Sequence, residues 1–341
     1  MLSQPRIIRD ARVLREYFIP RRILHREGQL EAIRDSLKPV LEGKSPRDMH
    51  LYGPPGSGKT CIARYLLEEL SKRSSRIRTS YVNCFDNSSK FRVLYEVVRD
   101  IGSVLSVHEK GTPTDEVLER VRKLVEDRYC ILVLDEVDKL RETDVLYSLA
   151  RTPEIGLIFI SNRETSLYRI DSRIRSSLAC MQTLEFPEYS RGKLVDILKD
   201  RAKWGLMPES YREEQLERIA MFAEGDARLA IDSLRLAAER SEEGDHEEIQ
   251  DEFIEGSVSK AKKEIDSKTL EKLNDDQLLL YRILKPEEEL RAGELHEKYK
   301  EKAEDPVVDR TVRKYLGKLE RLGLIETEGE GRWRVYKVRK E

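Results

Sequence analysis

Short apolar segments alternate with helical patterns through the first half of the chain. Five short segments have the pattern of β-strands, at 49–52, 77–82, 130–134, 155–161 and 181–186. The third and fourth are continuous apolar runs, which are typical of parallel strands covered on both faces. Between the segments, apolar residues recur at helical spacing, as at Ile62, Leu66 and Leu70. The pattern predicts a doubly wound α/β domain with a five-stranded parallel sheet.

After Pro187 the strand pattern stops and helical patterns follow. Amphipathic helices are predicted at 190–203, 211–223 and 226–240, then a polar loop at 241–248 and a charged helix at 249–273. The rest of the chain predicts helices at 274–284, 291–300 and 306–322 and two short strands around 327–334. Three helices before a hairpin are typical of a winged helix. We expect an α/β segment at 1–189, a helical domain at 190–262 and a winged helix at 263–341.

The composition narrows the functional classes. Charged residues make up 38% of the 341 residues, against a usual share of about 25%. Lys and Arg (63) nearly balance Asp and Glu (65), so the net charge is −2 and a DNA-binding face has to be a local patch. So many charges beside only four Asn and six Gln favour a thermophilic source. A melting midpoint of about 45–65 °C would contradict this.

The cysteines and the apolar runs favour the cell interior. The four cysteines form no CxxC pair and have no histidine at zinc spacing, so a metal framework is not expected. No run approaches 18 apolar residues, and residues 1–20 lack the apolar region of a signal peptide. We expect a soluble, cytoplasmic protein with no membrane partner.

A complete phosphate-binding loop, GPPGSGKT, occupies residues 53–60 between a predicted strand and a predicted helix. Gly56 and Gly58 let backbone N–H groups point at phosphates at the positive end of the helix. Lys59 would neutralise the β- and γ-phosphates, and Thr60 would supply a hydroxyl to Mg²⁺. Ser57 and Cys61 complete the nucleotide-binding residues that we expect here.

Two carboxylates, Asp135 and Glu136, follow the buried run at 130–134. At the C-terminal end of a strand they would lie beside the phosphate-binding loop. Asp135 is placed to hold Mg²⁺, and Glu136 is the candidate base that polarises the attacking water. Asn162 follows the next strand and would align that water, although asparagine after a strand is often a turn residue.

Together these features resemble the AAA+ ATPases. Further segments resemble the archaeal replication initiators, which are related to the largest subunit of the eukaryotic origin recognition complex and to its helicase-loading partner. These segments are PRRILHREGQL (20–30), YVNCFD (81–86), DSRIRSSL (171–178), FPEY (186–189) and GDARLAIDSLR (225–235). The resemblance runs from about residue 6 to the end of the chain.

The resemblance implies roles for single residues outside the loop. Arg228 matches the arginine that reaches from the helical lid to the γ-phosphate, and Tyr189 and Arg201 match lid positions along the nucleotide. The segment from Ile23 to Arg26 matches the part of the chain that wraps the adenine. Arg173 matches the finger that completes a neighbouring subunit's site, with Arg175 as the alternative.

Two segments are candidates for contact with DNA. The predicted helix 306–322 has an apolar face that includes Val308, and the opposite face and the hairpin carry basic residues: Arg310, Arg313, Lys314, Lys318, Arg321, Arg332 and Arg334. A winged helix that docks on protein is the alternative. The insertion 88–102 resembles a DNA-contacting element of the family and offers Lys90, Arg92 and Arg99, although the acidic Asp86 departs from the family pattern.

The resemblance implies an ATP-controlled protein that binds double-stranded origin DNA and recruits the replicative helicase. ATP or ADP with Mg²⁺ would be its cofactors, and weak ATPase activity would act as its switch. The protein would associate with the nucleoid, and a second copy or a paralogue would bind beside it on DNA. The basic arm at 1–26 would lie along phosphates or close over adenine. A branch-migration motor, with hexameric rings and fast turnover, and a regulator that uses ATP only structurally are the alternatives.

Overall fold

The computed structural model describes the chain except for residues 1–6, 103–110, 170–180, 271–272, 288, 304, 323, 330–333 and 339–341. The chain forms two compact units, residues 1–261 and 262–341. None of the helices in the described part is long and apolar enough to cross a membrane.

The first unit is built on a five-stranded parallel sheet with the strand order β2-β3-β4-β1-β5. The strands are β1 (Met49–Tyr52), β2 (Ile77–Asn83), β3 (Tyr129–Asp135), β4 (Ile155–Ser161) and β5 (Gln182–Glu185). This confirms the five strands expected from the apolar segments. Because parallel strands end at a common edge of the sheet, the polar residues that follow β1, β3 and β4 come together there.

Helices cover both faces of this sheet, as the continuous apolar strands predict. Helices α1 (Glu27–Leu41) and α2 (Lys59–Arg73) pack on one face. Helices α3 (Lys90–Ile101), α4 (Thr114–Val125) and α5 (Asp144–Ala150) pack on the other. Alternate residues of the strands serve the two faces: Leu132 and Leu134 belong to the second core, whereas Ile131 and Val133 belong to the first.

Four helices follow the sheet: α6 (Arg191–Gly205), α7 (Glu213–Phe222), α8 (Ala227–Glu243) and α9 (Asp251–Leu270). Helix α8 continues three residues beyond its predicted end, so the polar loop begins after Glu243. The N-terminal arm packs into this helical core. Ile7 and Leu14 are buried in it, Ile8 forms an antiparallel bridge with Leu206, and Met207 donates a backbone hydrogen bond to Ile7.

The second unit contains α10 (Asp275–Leu284), α11 (Ala292–Lys302) and α12 (Asp309–Arg321), with strands β6 (Glu289–Arg291), β7 (Ile325–Glu328) and β8 (Val335–Val338). The strands form an antiparallel sheet in the order β6-β8-β7, which is a winged-helix arrangement. The short β6 was not predicted. The expected burial of Val308 is wrong, because this residue precedes the first turn of α12 and is 70% exposed.

Candidate nucleotide-binding site and nucleic-acid interface

The phosphate-binding loop connects β1 to α2 and depends on three glycines in left-handed backbone conformations. The φ angles are +149° at Gly53, +71° at Gly56 and +93° at Gly58, a region that residues with a Cβ atom rarely adopt. Each glycine is also crowded, since a Cβ atom there would overlap with Phe186, Asp226 or Tyr189, respectively. The loop is therefore shaped both by its own sequence and by the elements packed on it.

The Lys59 ammonium group lies inside the loop. Its Nζ atom donates hydrogen bonds to the carbonyl oxygens of Gly53 at 2.6 Å and Pro54 at 2.7 Å. Burial lowers the pKa of Lys59 to about 8, because the charged form loses its hydration, although the neighbouring Asp135 partly counteracts this. A phosphate placed in the loop would supply the negative charge that the buried ammonium lacks.

Asp135 ends β3 and receives three hydrogen bonds. Thr60 Oγ1 donates to Asp135 Oδ2 at 2.7 Å, Tyr81 OH donates to the same oxygen at 2.6 Å, and the backbone N–H of Glu136 donates to Oδ1 at 2.8 Å. Burial and then the nearby Asp135 raise the pKa of Tyr81, so its hydroxyl stays a donor. Sequence reasoning missed Tyr81. It pairs with Val133 in β3, and because side chains alternate along a strand, Tyr81 and Asp135 lie on the same face of the sheet.

The Thr60 and Asp135 side chains fit a magnesium ion. The Thr60 hydroxyl and the Asp135 carboxylate already share one hydrogen bond, and both are oxygen ligands of the kind that Mg²⁺ accepts beside water and phosphate. The described residues contain no group of three or more His, Cys, Asp or Glu side chains that could hold a metal ion. A magnesium site at Thr60 and Asp135 would need the phosphates of a nucleotide to complete it.

Glu136 and Asn162 lie at the same edge of the sheet. Glu136 follows β3, is half-buried and has a left-handed φ of +52°, which turns the chain sharply after the strand. Asn162 follows the neighbouring strand β4 and is exposed. The other predicted catalytic arginines, Arg173 and Arg175, lie outside the described residues.

A buried histidine, which sequence reasoning missed, holds the turn that carries Asn162. His50 Nε2 lies 2.8 Å from Ser161 Oγ, and Ser161 Oγ donates to the carbonyl oxygen of Arg163 at 2.8 Å. Since the serine hydroxyl has one proton, His50 donates to it through Nε2. Burial lowers the pKa of His50 to about 4, so the ring is neutral. The isolated histidine in a strand of four residues gave no signal of this role.

The start of α8 lies directly against the phosphate-binding loop. Ala227 donates its backbone N–H to the carbonyl oxygen of Gly56 at 3.2 Å. The Asp226 carboxylate accepts hydrogen bonds from the backbone N–H groups of Arg228 at 2.7 Å and Leu229 at 3.2 Å, and so begins the helix. Asp226 also lies so close to Gly56 that a Cβ atom there would overlap with it. Sequence reasoning missed this aspartate.

Arg228 lies at this junction with one unused donor. Its Nη2 atom is 3.4 Å from Asp226 Oδ2, while its Nε atom is buried without a hydrogen-bond partner among the described residues. A buried donor without a partner is costly. The arginine therefore retains capacity for an anionic ligand beside the loop.

Arg26 belongs to the segment that the resemblance assigns to the adenine, and its side chain fixes the arm to the phosphate-binding loop. It is 2% exposed, and its Nε atom donates to the carbonyl oxygen of Ser57 at 3.0 Å while Nη2 donates to the carbonyl oxygen of Pro187. Its guanidinium lies 4.0 Å from the centre of the Tyr189 ring. Burial raises the pKa of Tyr189. Ile23 is buried in the core beside α1 and α2 and packs with the half-buried Cys61.

Arg201, which the resemblance places along the nucleotide from the lid side, binds the N-terminal arm. Its guanidinium donates to the carbonyl oxygens of Val13 at 3.1 Å and Phe18 at 3.3 Å and lies 4.8 Å from the Phe18 ring centre. The side chain is buried and its donors serve the arm. Burial also raises the pKa of the nearby Cys61 thiol, which favours the protonated, unreactive form of this side chain.

The insertion helix α3 presents its three basic residues in different settings. Lys90 Nζ lies 3.6 Å from Asp144 Oδ2 and its side chain is only 18% exposed, so this lysine is poorly placed for DNA. Arg99 pairs with Glu96 one turn earlier. Arg92 is exposed.

In the second unit, helix α12 separates an apolar face from a basic one. Val312, Leu316 and Leu319 are buried in the core of the unit. The basic residues Arg310, Arg313 and Lys314 are exposed, and Lys318 is half-buried. Arg334 precedes β8 and has a buried Nε atom without a partner in the described part of the chain. Arg332 and the side chain of Arg321 lie outside the described residues.

Two family models match the chain. Residues 22–160 match the AAA ATPase domain, and residues 195–262 match the Cdc6 AAA+ ATPase-type lid domain. The first match contains the loop, Asp135 and Glu136, and the second contains Arg201, Asp226 and Arg228.

Curated relatives and solved structures match nearly the whole chain. The ORC1-type DNA replication protein 9 of Halobacterium salinarum is 36% identical over 97% of this chain and 94% of its own length. The ORC1-type DNA replication protein 1 of Methanothermobacter thermautotrophicus is 32% identical over 96% of this chain and 91% of its own. The structure of the Aeropyrum pernix ORC1 protein in complex with DNA matches with a TM-score of 0.82 and 28% identity, over 99% and 95% of the two chains.

Proposed function

The chain belongs to the ORC1-type family of archaeal DNA replication initiators, and we propose from this premise that it binds double-stranded DNA at replication origins under the control of ATP. In this proposal ATP binding and slow hydrolysis act as a switch, and the DNA-bound form recruits the replicative helicase. The observation that supports the proposal is the contact of Asp226 and Ala227 with Gly56. Through this contact the start of helix α8 packs directly against the phosphate-binding loop.

The contact explains how a nucleotide would be sensed. A triphosphate in the loop would lie beside Lys59 and close to the positive end of helix α8. Arg228 has a buried donor available for it, and the Asp226 carboxylate that now pairs with Arg228 would be repelled by the new negative charge. ATP and ADP differ in this charge, so the lid would respond differently to the two nucleotides.

The hydrolytic step relies on groups at the edge of the sheet. Glu136 is the base that takes a proton from the attacking water, and Asn162 orients that water. Mg²⁺, when bound at Thr60 and Asp135, supplies positive charge to the phosphate oxygens. Arg173 of a neighbouring molecule would complete the site, which would make turnover dependent on assembly.

Recognition of DNA is proposed to reside mainly in the winged helix. The exposed face of α12 carries Arg310, Arg313 and Lys314, which suits a helix in the major groove. Arg334 and Arg332 are the corresponding residues for contact with the minor groove. The similar ORC1 protein of A. pernix was solved in complex with DNA, which supports DNA as the ligand. Arg92 of α3 is a second contact in the first unit.

The nucleotide site is tested with three variants of the full chain. Lys59→Ala is expected to abolish ATP binding, and Glu136→Ala is expected to retain binding and lose hydrolysis. Glu126→Ala removes an exposed carboxylate at the end of α4 and serves as the matched control. If Glu136→Ala hydrolyses ATP at the parent rate, Glu136 is not the base.

DNA recognition is tested by titrating labelled origin fragments with the apo, ADP-loaded and ATP-loaded protein. The footprint and affinity are expected to differ between ADP and ATP. Arg313→Ala should weaken binding by about 1–3 kcal/mol if this side chain contacts a base, and Arg282→Ala, an exposed arginine in the same unit, is the control. Identical footprints in the three nucleotide states would refute the switch. Fast turnover stimulated by DNA of any sequence would instead indicate a motor.

A further inference from the structure

An exposed tryptophan, Trp204, lies at the C-terminal end of helix α6, and none of the roles described above involves it. Trp204 is 49% exposed, although side chains of this size usually bury most of their apolar surface. Two cations lie against its ring: the guanidinium of Arg21 at 5.9 Å and the ammonium of Lys203 at 5.6 Å from a ring centre. The indole therefore combines a free apolar surface with positive charge at its border.

The N-terminal arm is fixed to the end of α6 at this point. Gly205 accepts backbone hydrogen bonds from Arg9 at 2.9 Å and Asp10 at 3.0 Å, and the Arg9 guanidinium donates to the carbonyl oxygen of Trp204 at 3.3 Å. Arg201, one turn before Trp204, holds the arm again through Val13 and Phe18. The basic arm and the tryptophan are thus parts of one ordered surface.

The surface carries a second exposed aromatic residue and an excess of cations. Tyr17, next to the anchored Phe18, is 65% exposed. Residues 9–22 contain five arginines against two acids, Asp10 and Glu16, of which Asp10 pairs with the 84% exposed Arg12 at 2.8 Å. We define the arm patch as Arg12, Tyr17, Arg21, Arg22, Lys203 and Trp204.

We propose that the arm patch binds single-stranded DNA by stacking unpaired bases on Trp204 and Tyr17 while its cations contact the phosphates. Cations alone would suit any polyanion, but exposed flat rings among them suit a strand whose bases are free to stack. The exposed cation–π contacts of Trp204 are weak, so a base can displace Arg21 from the ring and leave it beside a phosphate. All six residues belong to the first unit, whereas the basic face of α12 belongs to the second.

The test measures binding of the full chain to three fluorescent probes at low salt: a 20-nucleotide oligo-dT, an abasic strand of the same length, and a 20-base-pair duplex. Trp204→Ala is expected to weaken binding to oligo-dT about tenfold and to leave duplex binding within twofold. Trp204→Phe should restore part of the loss. Arg218→Ala, which removes an exposed arginine from helix α7, is the matched control.

The probes separate the contributions of rings and charges. The parent protein should bind the abasic strand about as weakly as Trp204→Ala binds oligo-dT. Arg21→Ala should weaken binding to oligo-dT and also to the abasic strand. Unchanged thermal unfolding and ATP binding of each variant establish that it is folded. Equal affinity of the parent and Trp204→Ala for oligo-dT, equal parent affinity for oligo-dT and the abasic strand, or no binding of oligo-dT would each overturn the proposal. The duplex titration tests the origin-binding function separately.

Discussion

The affinity for nucleotide should fall as the pH rises through the pKa of Lys59. Burial lowers this pKa to about 8 in the nucleotide-free protein, where the ammonium is held by two backbone carbonyl groups. A triphosphate favours the charged form, so its binding raises the pKa. Above pH 8 the free lysine is neutral, and binding must then take up a proton. The affinity is therefore fully present below pH 8 and decreases above it.

The magnitude follows from the fraction of charged lysine. At pH 9, one unit above a pKa of about 8, roughly one molecule in eleven carries the charge, so the affinity should be about tenfold lower than at pH 7. A phosphate monoester loses its last proton at a pKa of about 6, so the charge of the nucleotide changes little in this range. Burial also raises the pKa values of Cys61 and Tyr189, which keeps these neighbours neutral.

Calorimetric titration with ATP from pH 7 to 9.5 measures this dependence directly, including the proton taken up in buffers of different ionisation enthalpy. Lys59→Arg is the control, because a guanidinium stays charged throughout the range. Its affinity should be lower at pH 7 and independent of pH. A parent affinity that stays constant from pH 7 to 9.5 would show that the lysine remains charged in the loop and that the carbonyl groups offset its burial.

Three further predictions concern stability and the shape of the site. Gly56→Ala places a Cβ atom where it overlaps with Asp226 at a φ of +71°, so both ATP affinity and the melting temperature should fall; Gly28→Ala, at a helical position with open space, should change neither, and equal behaviour of the two would contradict the crowding. The folded chain keeps His50 neutral down to a pKa of about 4, whereas the unfolded chain protonates near 6.5, so the free energy of unfolding should fall by about 3 kcal/mol from pH 6.5 to 4. Urea titrations of the parent and His50→Gln across this range test it, and parallel curves would refute it. Tyr81→Phe removes one hydroxyl from the carboxylate at the end of β3 and should lower the stability by about 1 kcal/mol, measured by thermal unfolding, with little change in ATP affinity; a large loss of affinity would show instead that Tyr81 contacts the nucleotide.

The amino-acid sequence was sufficient for the sheet, because its physical signals are local. A run such as that of β3 is apolar at consecutive positions and can only be stable when both faces are covered. The glycines of the phosphate-binding loop are an equally local signal. Their positive φ angles explain why the loop needs glycine at these positions. The short β6 gave no such signal, because three residues next to a helix carry no period. Val308 has the spacing of a buried position of helix α12, but the helix begins only after this residue.

The partners of the long polar side chains were decided by the tertiary structure alone. The sequence suggests nucleotide contacts for Arg26 and Arg201. In the structure Arg26 donates to the carbonyl oxygen of Pro187 and Arg201 to that of Val13, and each partner is more than 150 residues away in the chain. The sequence analysis gave no role to Asp226 or Tyr81, and the fold brings the first against Gly56 and the second against Asp135. The sequence determined which elements form and where phosphate can bind. The tertiary structure decided which charged side chains remain available to a phosphate. A buried guanidinium has to donate its hydrogen bonds to the acceptors within its reach, and only the fold determines which carbonyl and carboxylate groups those are.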